Sequence, residues 1–282
     1  MNKLLVAGAG QMGSGIAQVS ALAGIDVVLV DVADELTARA LAAISRSLAK
    51  LTEKGKIEGP AGEAALARIV TSTDLAAGAD ADLFIEAVPE IMDVKRTVLA
   101  CASSLLRPEA LLATNTSSLS ISALATSVAA PQCFIGLHFF HPVPLMGLTE
   151  VVRGEQTAEE TVVAARAYVE RVGKTPITVQ DSPGFVVNRI LFPMIAEAAN
   201  AYAAGIASAE AIDTGMRLGA NWPMGPLALA DLVGLDTTVA ILAILERELG
   251  DAKYHPAGVL TELVAAGRLG RKSGAGFYVY ER

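Results

Sequence analysis

The sequence predicts an α/β protein: a mostly parallel sheet covered by helices over residues 1–182, then an all-helical segment over residues 183–282. Three observations carry that prediction. Short apolar, β-branched runs alternate with stretches of helical periodicity from the start of the chain to residue 180, the pattern of βαβ units. A glycine pattern, GAGQMG, stands where the first strand gives way to the first helix. Beyond DSPG at residues 181–184 every long segment keeps helical spacing and none reads as a strand, which sets a domain boundary near residue 182.

Residues 3–8 (KLLVAG) are a short apolar run stopped by glycine, the form of a buried strand. Helical spacing covers residues 12–23 and stops at Gly24; residues 26–31 (DVVLVD) are a second strand, completing a βαβ unit. A helix at 36–51, strands at 69–72 and 81–86, a helix at 91–106 and a strand at 111–115 follow. A short helix at 121–125, strands at 134–140 and 149–152, a helix at 158–172 and a strand at 176–179 complete the region. In the second domain, aspartate and serine before Pro183-Gly184 suit a helix start. The helix that follows is expected to bury Phe185, Ile190, Met194, Ile195 and Ala198 and to kink at Pro193.

Composition narrows the function. With 52 % hydrophobic and 18 % charged residues the 282-residue chain has ample core. Its formal charge of −8, with no basic cluster, argues against a nucleic-acid partner. No charge-free stretch is long enough to span a bilayer, so no membrane role is expected. Cys101 and Cys133 show neither metal nor redox spacing and suit a reducing compartment. The short apolar start runs straight into the glycine pattern and reads as a cytoplasmic chain rather than a secretory leader.

Gly8, Gly10 and Gly13 form GxGxxG, with Gln11 and Met12 between the last two. The first glycine permits a tight turn, the second lets backbone approach a pyrophosphate, and the third lets helix and strand pack closely. The helix N-terminus adds amide donors and the positive end of its dipole. Asp31 closes the second strand 18 residues past Gly13. A carboxylate there accepts hydrogen bonds from ribose hydroxyls and repels a 2′-phosphate, which favours NAD over NADP. The first domain is therefore expected to be a Rossmann-like NAD-binding domain.

Only three histidines occur, and two of them, His138 and His141, lie inside GLHFFHPVP. Taken alone the run has two readings: buried imidazoles bonded to backbone, or a proton acceptor held out of bulk water.

The motifs GAGQMGSGIA, IEAVPE, NTSSLSI, GLHFFHPVP, TEVV, DSPGFVVNR, NWPMGPLALADLVGLD and GRKSGAGFY, in this order, resemble those of the L-3-hydroxyacyl-CoA dehydrogenases, including bacterial 3-hydroxybutyryl-CoA dehydrogenases. The resemblance covers residues 3–280 and implies an NAD domain followed by a helical domain that forms a homodimer. It implies that His138 is the catalytic base, paired with Glu150, and that Ser117 and Asn188 contact the reacting oxygen of the substrate. Glu90, Lys95 and Asn115 fall on cofactor-contacting positions, and Ser47 and Lys54 on positions that hold the coenzyme A moiety of an acyl-CoA thioester. Lys54 reads equally as part of the solvated run EKGK, and Ser117 as a helix cap.

The chemistry suits these residue types. Oxidising a secondary alcohol with NAD requires a base for the hydroxyl proton, and an imidazole titrates near neutrality. A neighbouring carboxylate fixes the ring's tautomer and stabilises the imidazolium. In reverse, donors at the carbonyl oxygen stabilise the developing negative charge. His141 departs from the HFFNP that many relatives carry. It is expected to be neutral, bonded to backbone, and structural or substrate-tuning rather than catalytic. A related NAD-dependent dehydrogenase of a free hydroxy acid or sugar acid is the alternative function. The apolar run VAILAIL at residues 239–245 suggests a dimer face.

Overall fold

The computed structural model describes residues 1–281, which fall into two compact units, residues 1–182 and residues 183–281. In the first unit strands β1 (Lys3–Ala7), β2 (Asp26–Val30), β3 (Ile69–Ser72), β4 (Leu83–Glu86), β5 (Leu111–Thr114), β6 (Phe134–Phe139), β7 (Leu148–Arg153) and β8 (Thr175–Gln180) form one sheet in the order β3-β2-β1-β4-β5-β6-β7-β8. Every neighbouring pair is parallel except β6 and β7, which run antiparallel. Helices α1 (Gln11–Leu22), α2 (Asp34–Glu53), α3 (Gly59–Ala67), α4 (Met92–Leu105), α5 (Ile121–Ala125) and α6 (Glu159–Arg171) make the connections. The fold class expected from the sequence is the one observed.

The strands are continuous apolar runs because both faces of the sheet are covered: all four residues of β4 and of β5 are buried. Helix α1 is buried from Gly13 to Ala21 and is built largely of small residues, so it lies close against the sheet. Helix α2 instead buries only Thr37, Ala40, Ile44 and Leu48, the three- and four-residue spacing of a single helical face. The sequence reading passed over α3. Its segment GPAGEAALA buries only Gly62 and Ala65, so it shows no apolar stripe that periodicity can detect.

The second unit contains α7 (Val187–Ala203), α8 (Ala209–Gly219), α9 (Pro226–Val233), α10 (Leu235–Leu249) and α11 (Gly258–Ala265) around a core that includes Phe192, Ile195, Leu227, Leu235, Leu242 and Leu260. Two buried aspartates organise it. Asp213 accepts from Leu227 N and Ala228 N, uncapped donors at the start of α9, and from the Tyr278 hydroxyl. Asp231 accepts from Phe277 N, Tyr278 N and the Tyr280 hydroxyl, tying the end of the chain to α9.

The first helix of this unit corrects the sequence reading in two ways. It starts at Val187, not directly after Pro183-Gly184, because Gly184 (φ 73°) and Phe185 (φ 49°) are both left-handed. Asp181 does not cap it; that carboxylate accepts from Ser120 Oγ and Ser122 N and so serves the start of α5. The buried face consists of Asn188, Phe192, Ile195, Ala196, Ala198 and Ala199, whereas Ile190 and Met194 are 58 % and 38 % exposed. Pro193 does lie inside the helix. Among the described residues no single helix is long and apolar enough to cross a membrane.

Candidate active site

The carboxyl ends of β1, β4, β5 and β6 share one edge of the sheet because these neighbours are parallel, and that edge is where an open α/β sheet binds ligands. Most of the residues singled out in the sequence lie along it.

At the end of β1 the glycine turn has the constraints expected of a close backbone approach. Gly8 has φ 101°, and a Cβ there would stand 2.5 Å from the Ala87 carbonyl oxygen; a Cβ on Gly13 would stand 1.8 Å from that of Gly8. Gly10 differs, since its Cβ would meet nothing within 4 Å. Gly8 and Gly13 are therefore required by the protein's own packing, while Gly10 borders open space. Gly10 caps α1 without a side-chain hydrogen bond, and the first turn carries no acid, so its donors keep their pull on an anion. Gln11 is exposed at this end, and Met12 packs onto the core. Asp31 accepts from Ala9 N and from Val32 N, both at 2.7 Å, which fixes its carboxylate beside the turn. Turn, open side of Gly10 and adjacent acid fit a dinucleotide.

Next along the edge is an ion-pair network. Glu86, the last residue of β4, is fully buried and accepts from Lys95 Nζ at 2.8 and 3.0 Å, Thr114 Oγ1 at 2.6 Å and Val88 N at 2.6 Å. Lys95, 1 % exposed, also lies 3.2 Å from Glu90 Oε2. The other oxygen of Glu90 gathers the loop after β5, accepting from Thr116 Oγ1, Ser117 N and Ser118 N at 2.5, 2.8 and 3.1 Å. Burial alone would raise the Glu90 pKa, but the Lys95 ammonium and these donors outweigh it and hold the carboxyl below its usual range. Glu90 thus fixes Ser117, and Ser117 is not the helix cap weighed from the sequence. Ser120 caps α5, accepting from Ala123 N. Glu86 was missed as a member of this cluster; the glutamate ending the apolar strand LFIE was its signal.

On β6, His138 Nδ1 lies 2.6 Å from Glu150 Oε2, with the side chains 7 % and 0 % exposed. The two are register partners across the antiparallel β6–β7 joint, so their side chains project from the same face. A carboxylate on Nδ1 makes that nitrogen the proton carrier of a neutral ring and leaves Nε2 as the acceptor. Phe140 packs on the imidazole with ring centroids 4.5 Å apart. Asn115, directly after β5, accepts from Phe139 N at 3.0 Å and ties this end of β6 to its neighbour.

Beyond β6 the chain turns through a cis His141–Pro142 peptide and borders a cavity of about 470 Å³ shared with Gln11 and Ser47. His141 is exposed and its ring has no hydrogen-bond partner among the described residues, which corrects the expected backbone bond; proline ring and turn, not the imidazole, shape this segment. Lys54 caps the C-terminus of α2, is exposed, and does not line the cavity. Asn188 lies in the first turn of α7 in the helical unit and is buried.

A nucleotide-type glycine turn and a buried histidine–carboxylate pair on one sheet edge define an NAD-binding dehydrogenase. Residues 3–182 match the family model for the NAD binding domain of 3-hydroxyacyl-CoA dehydrogenase, and residues 184–280 match the model for its C-terminal domain. The chain belongs to the 3-hydroxyacyl-CoA dehydrogenase family, with NAD as cofactor. It is 51 % identical to the "Probable 3-hydroxybutyryl-CoA dehydrogenase" of Deinococcus radiodurans, over 99 % of this chain and 100 % of that protein. It is 46 % identical to the 3-hydroxybutyryl-CoA dehydrogenase of Bradyrhizobium diazoefficiens, over 99 % and 96 % of the two chains. The crystal structure of (S)-3-hydroxybutyryl-CoA dehydrogenase from Ralstonia eutropha superposes with a TM-score of 0.97 at 46 % identity, covering 100 % of both chains.

Proposed function

We propose that this protein interconverts L-3-hydroxyacyl-CoA and 3-ketoacyl-CoA with NAD, acting on short acyl chains such as 3-hydroxybutyryl-CoA. The buried contact between His138 and Glu150, on the sheet edge that also carries the glycine turn, is the observation that supports it most strongly. The names of the relatives above give the substrate class.

Gly8, Gly10, Gln11, Met12 and Gly13 hold the pyrophosphate, and Asp31 accepts from the adenosine ribose. Glu90, Lys95 and Asn115 complete the cofactor-binding set. NAD, when bound, supplies the hydride acceptor. In the oxidative direction His138 Nε2 takes the proton of the 3-hydroxyl while Glu150 holds Nδ1–H and stabilises the resulting imidazolium. In the reductive direction protonated His138 returns that proton, and Ser117 and Asn188 donate hydrogen bonds to the oxygen as negative charge builds on it. Ser47 and Lys54 hold the coenzyme A end. The chain works in the cytoplasm as a homodimer through its helical unit, where Ile190, Ile206 and Leu218 are exposed apolar residues. Light scattering after size exclusion tests that assembly, and a monomer at micromolar concentration contradicts it.

The direct test follows NADH absorbance with acetoacetyl-CoA as oxidant, beside acetoacetate without coenzyme A and beside NADPH. Rapid oxidation with the thioester and NADH alone is the expected result. Failure with the thioester while NADH still binds overturns the proposal and points to a free hydroxy acid or sugar acid.

A further inference from the structure

Lys174 carries a buried ammonium that the chemistry above does not use. The residue is 8 % exposed, and among the described residues no carboxylate pairs with it. Its side chain makes one hydrogen bond, donated from Nζ to the Met146 carbonyl at 2.7 Å. Burial alone pulls its pKa below the usual lysine value. An ammonium taken out of water without a counter-charge destabilises the folded state, and a methionine would fill the same space without that penalty. What the ammonium holds is therefore the reason to look for at this position.

It holds the turn between β6 and β7, which joins the two members of the His138–Glu150 pair. At the near end of that turn Phe140 packs on the His138 ring, and three residues past its far end, Gly147, stands Glu150. The turn bonds to itself at its centre, where Leu145 N and Met146 N both donate to the Pro142 carbonyl. Val143 presses on α1 at Gly15, where a Cβ would stand 2.7 Å from Val143 Cβ. Leu145 and Met146 are 61 % and 40 % exposed, so apolar packing does not hold the far end. That end is fastened from β8 instead. Thr175 N donates to the Gly147 carbonyl at 2.7 Å, and Lys174 Nζ to the carbonyl just before it. Lys174 is itself fixed by the end of α6, where Gly173 (φ 76°) turns the chain and Lys174 N donates to the Val169 carbonyl. Two consecutive residues thus grip two consecutive carbonyls of the turn, one through backbone and one through an ammonium.

We propose that Lys174 is a positioning residue for the dehydrogenase reaction: its ammonium fastens the turn at Met146 and so keeps Phe140 on the His138 ring and Glu150 in line with it. The proposal rests on the roles given above to His138 and Glu150. Lys174 does not line the cavity that His141 borders, so it acts through the turn, and its effect falls on kcat more than on KM.

The test compares the wild-type protein with Lys174→Met, which keeps length and removes the donor, and with Lys174→Arg, which keeps a cationic donor. Acetoacetyl-CoA is the oxidant and NADH the reductant, and thermal melts establish that each variant is folded. Wild-type turnover is read first: its absence overturns the thioester reading itself, whereas turnover with an unresponsive variant overturns only the role of Lys174. Lys174→Met should lower kcat about tenfold with smaller changes in the KM of either substrate, and Lys174→Arg should recover most of that loss. A folded Lys174→Met with wild-type kcat, a KM change as large as the fall in kcat, or a Lys174→Arg no faster than Lys174→Met each overturns the proposal. Should Lys174→Met fail to fold, or the wild type not turn over the thioester, the ammonium resonance of Lys174 in isotope-labelled wild-type protein decides. It should exchange slowly with water and couple across its hydrogen bond to the Met146 carbonyl. An ammonium that exchanges like that of a surface lysine overturns the assignment.

Discussion

His138 and Glu150 are direct register partners across the one antiparallel joint of the sheet, and their side chains meet at 2.6 Å with Glu150 fully buried. The reversal of β7 is what allows this. A strand parallel to β6 would need a crossover before it could return, whereas the short turn after β6 sends β7 straight back. Twelve residues of sequence separation thus become one contact.

Substituting the carboxylate should damage chemistry and spare the cofactor. Glu150→Gln keeps the side-chain shape but replaces one carboxylate oxygen with an amide, which weakens or reverses the tautomer preference at His138. We expect kcat to fall on the order of 100-fold or more, with NADH affinity, read by fluorescence titration, within a factor of about two. A Glu150→Gln enzyme with near-wild-type kcat contradicts the pairing's role.

The Lys95–Glu86 pair should govern stability. Lys95→Met leaves Glu86 buried without its cation, and breaking such a pair costs about 3–5 kcal/mol. Replacing both, as Lys95→Met with Glu86→Leu, should recover much of that loss. Urea denaturation of the two variants checks the order, and equal stability of single and double variants contradicts it.

Glu90 should contribute to the acid limb of stability. Its folded pKa is held below the ordinary value of 4.5, so its contribution is present above that pH and is lost as pH falls through the lower folded value. Urea midpoints measured from pH 5 down to pH 3 should fall more steeply for the wild type than for Glu90→Gln. Parallel curves for the two proteins mean that Glu90 does not carry this dependence.

Asp31 should set cofactor choice and also stiffen the turn, because one carboxylate oxygen holds Ala9 N. Asp31→Ser should raise KM for NADH about tenfold while narrowing the preference over NADPH. The ratio of kcat/KM for the two cofactors reports it directly, and an unchanged ratio contradicts the assignment.

What the sequence disclosed and what it concealed divide along physical lines. The apolar runs of β4 and β5 were legible because both faces are buried and the composition is unmistakable. The glycine turn was legible because only glycine fits at Gly8 and Gly13. Helix α3 was hidden because alanine and glycine give no amphipathic contrast. The face of α7 was misread because Ile190 and Met194 are apolar yet exposed, so apolarity alone did not report burial. Asp213 and Asp231 stayed invisible as well, and Glu86 was overlooked although it ends the apolar strand LFIE. Asp213 and Asp231 take their partners 14 or more residues along the chain, and Glu86 takes one of its partners, Thr114, from the neighbouring strand.

The most direct test of the central claim compares turnover of acetoacetyl-CoA with NADH by the wild type, His138→Gln and His141→Asn, with NADH binding measured on all three. The account predicts near-complete loss of kcat for His138→Gln with NADH affinity intact, and substantial activity for His141→Asn. Equal losses in both variants, or an active His138→Gln enzyme, would contradict it.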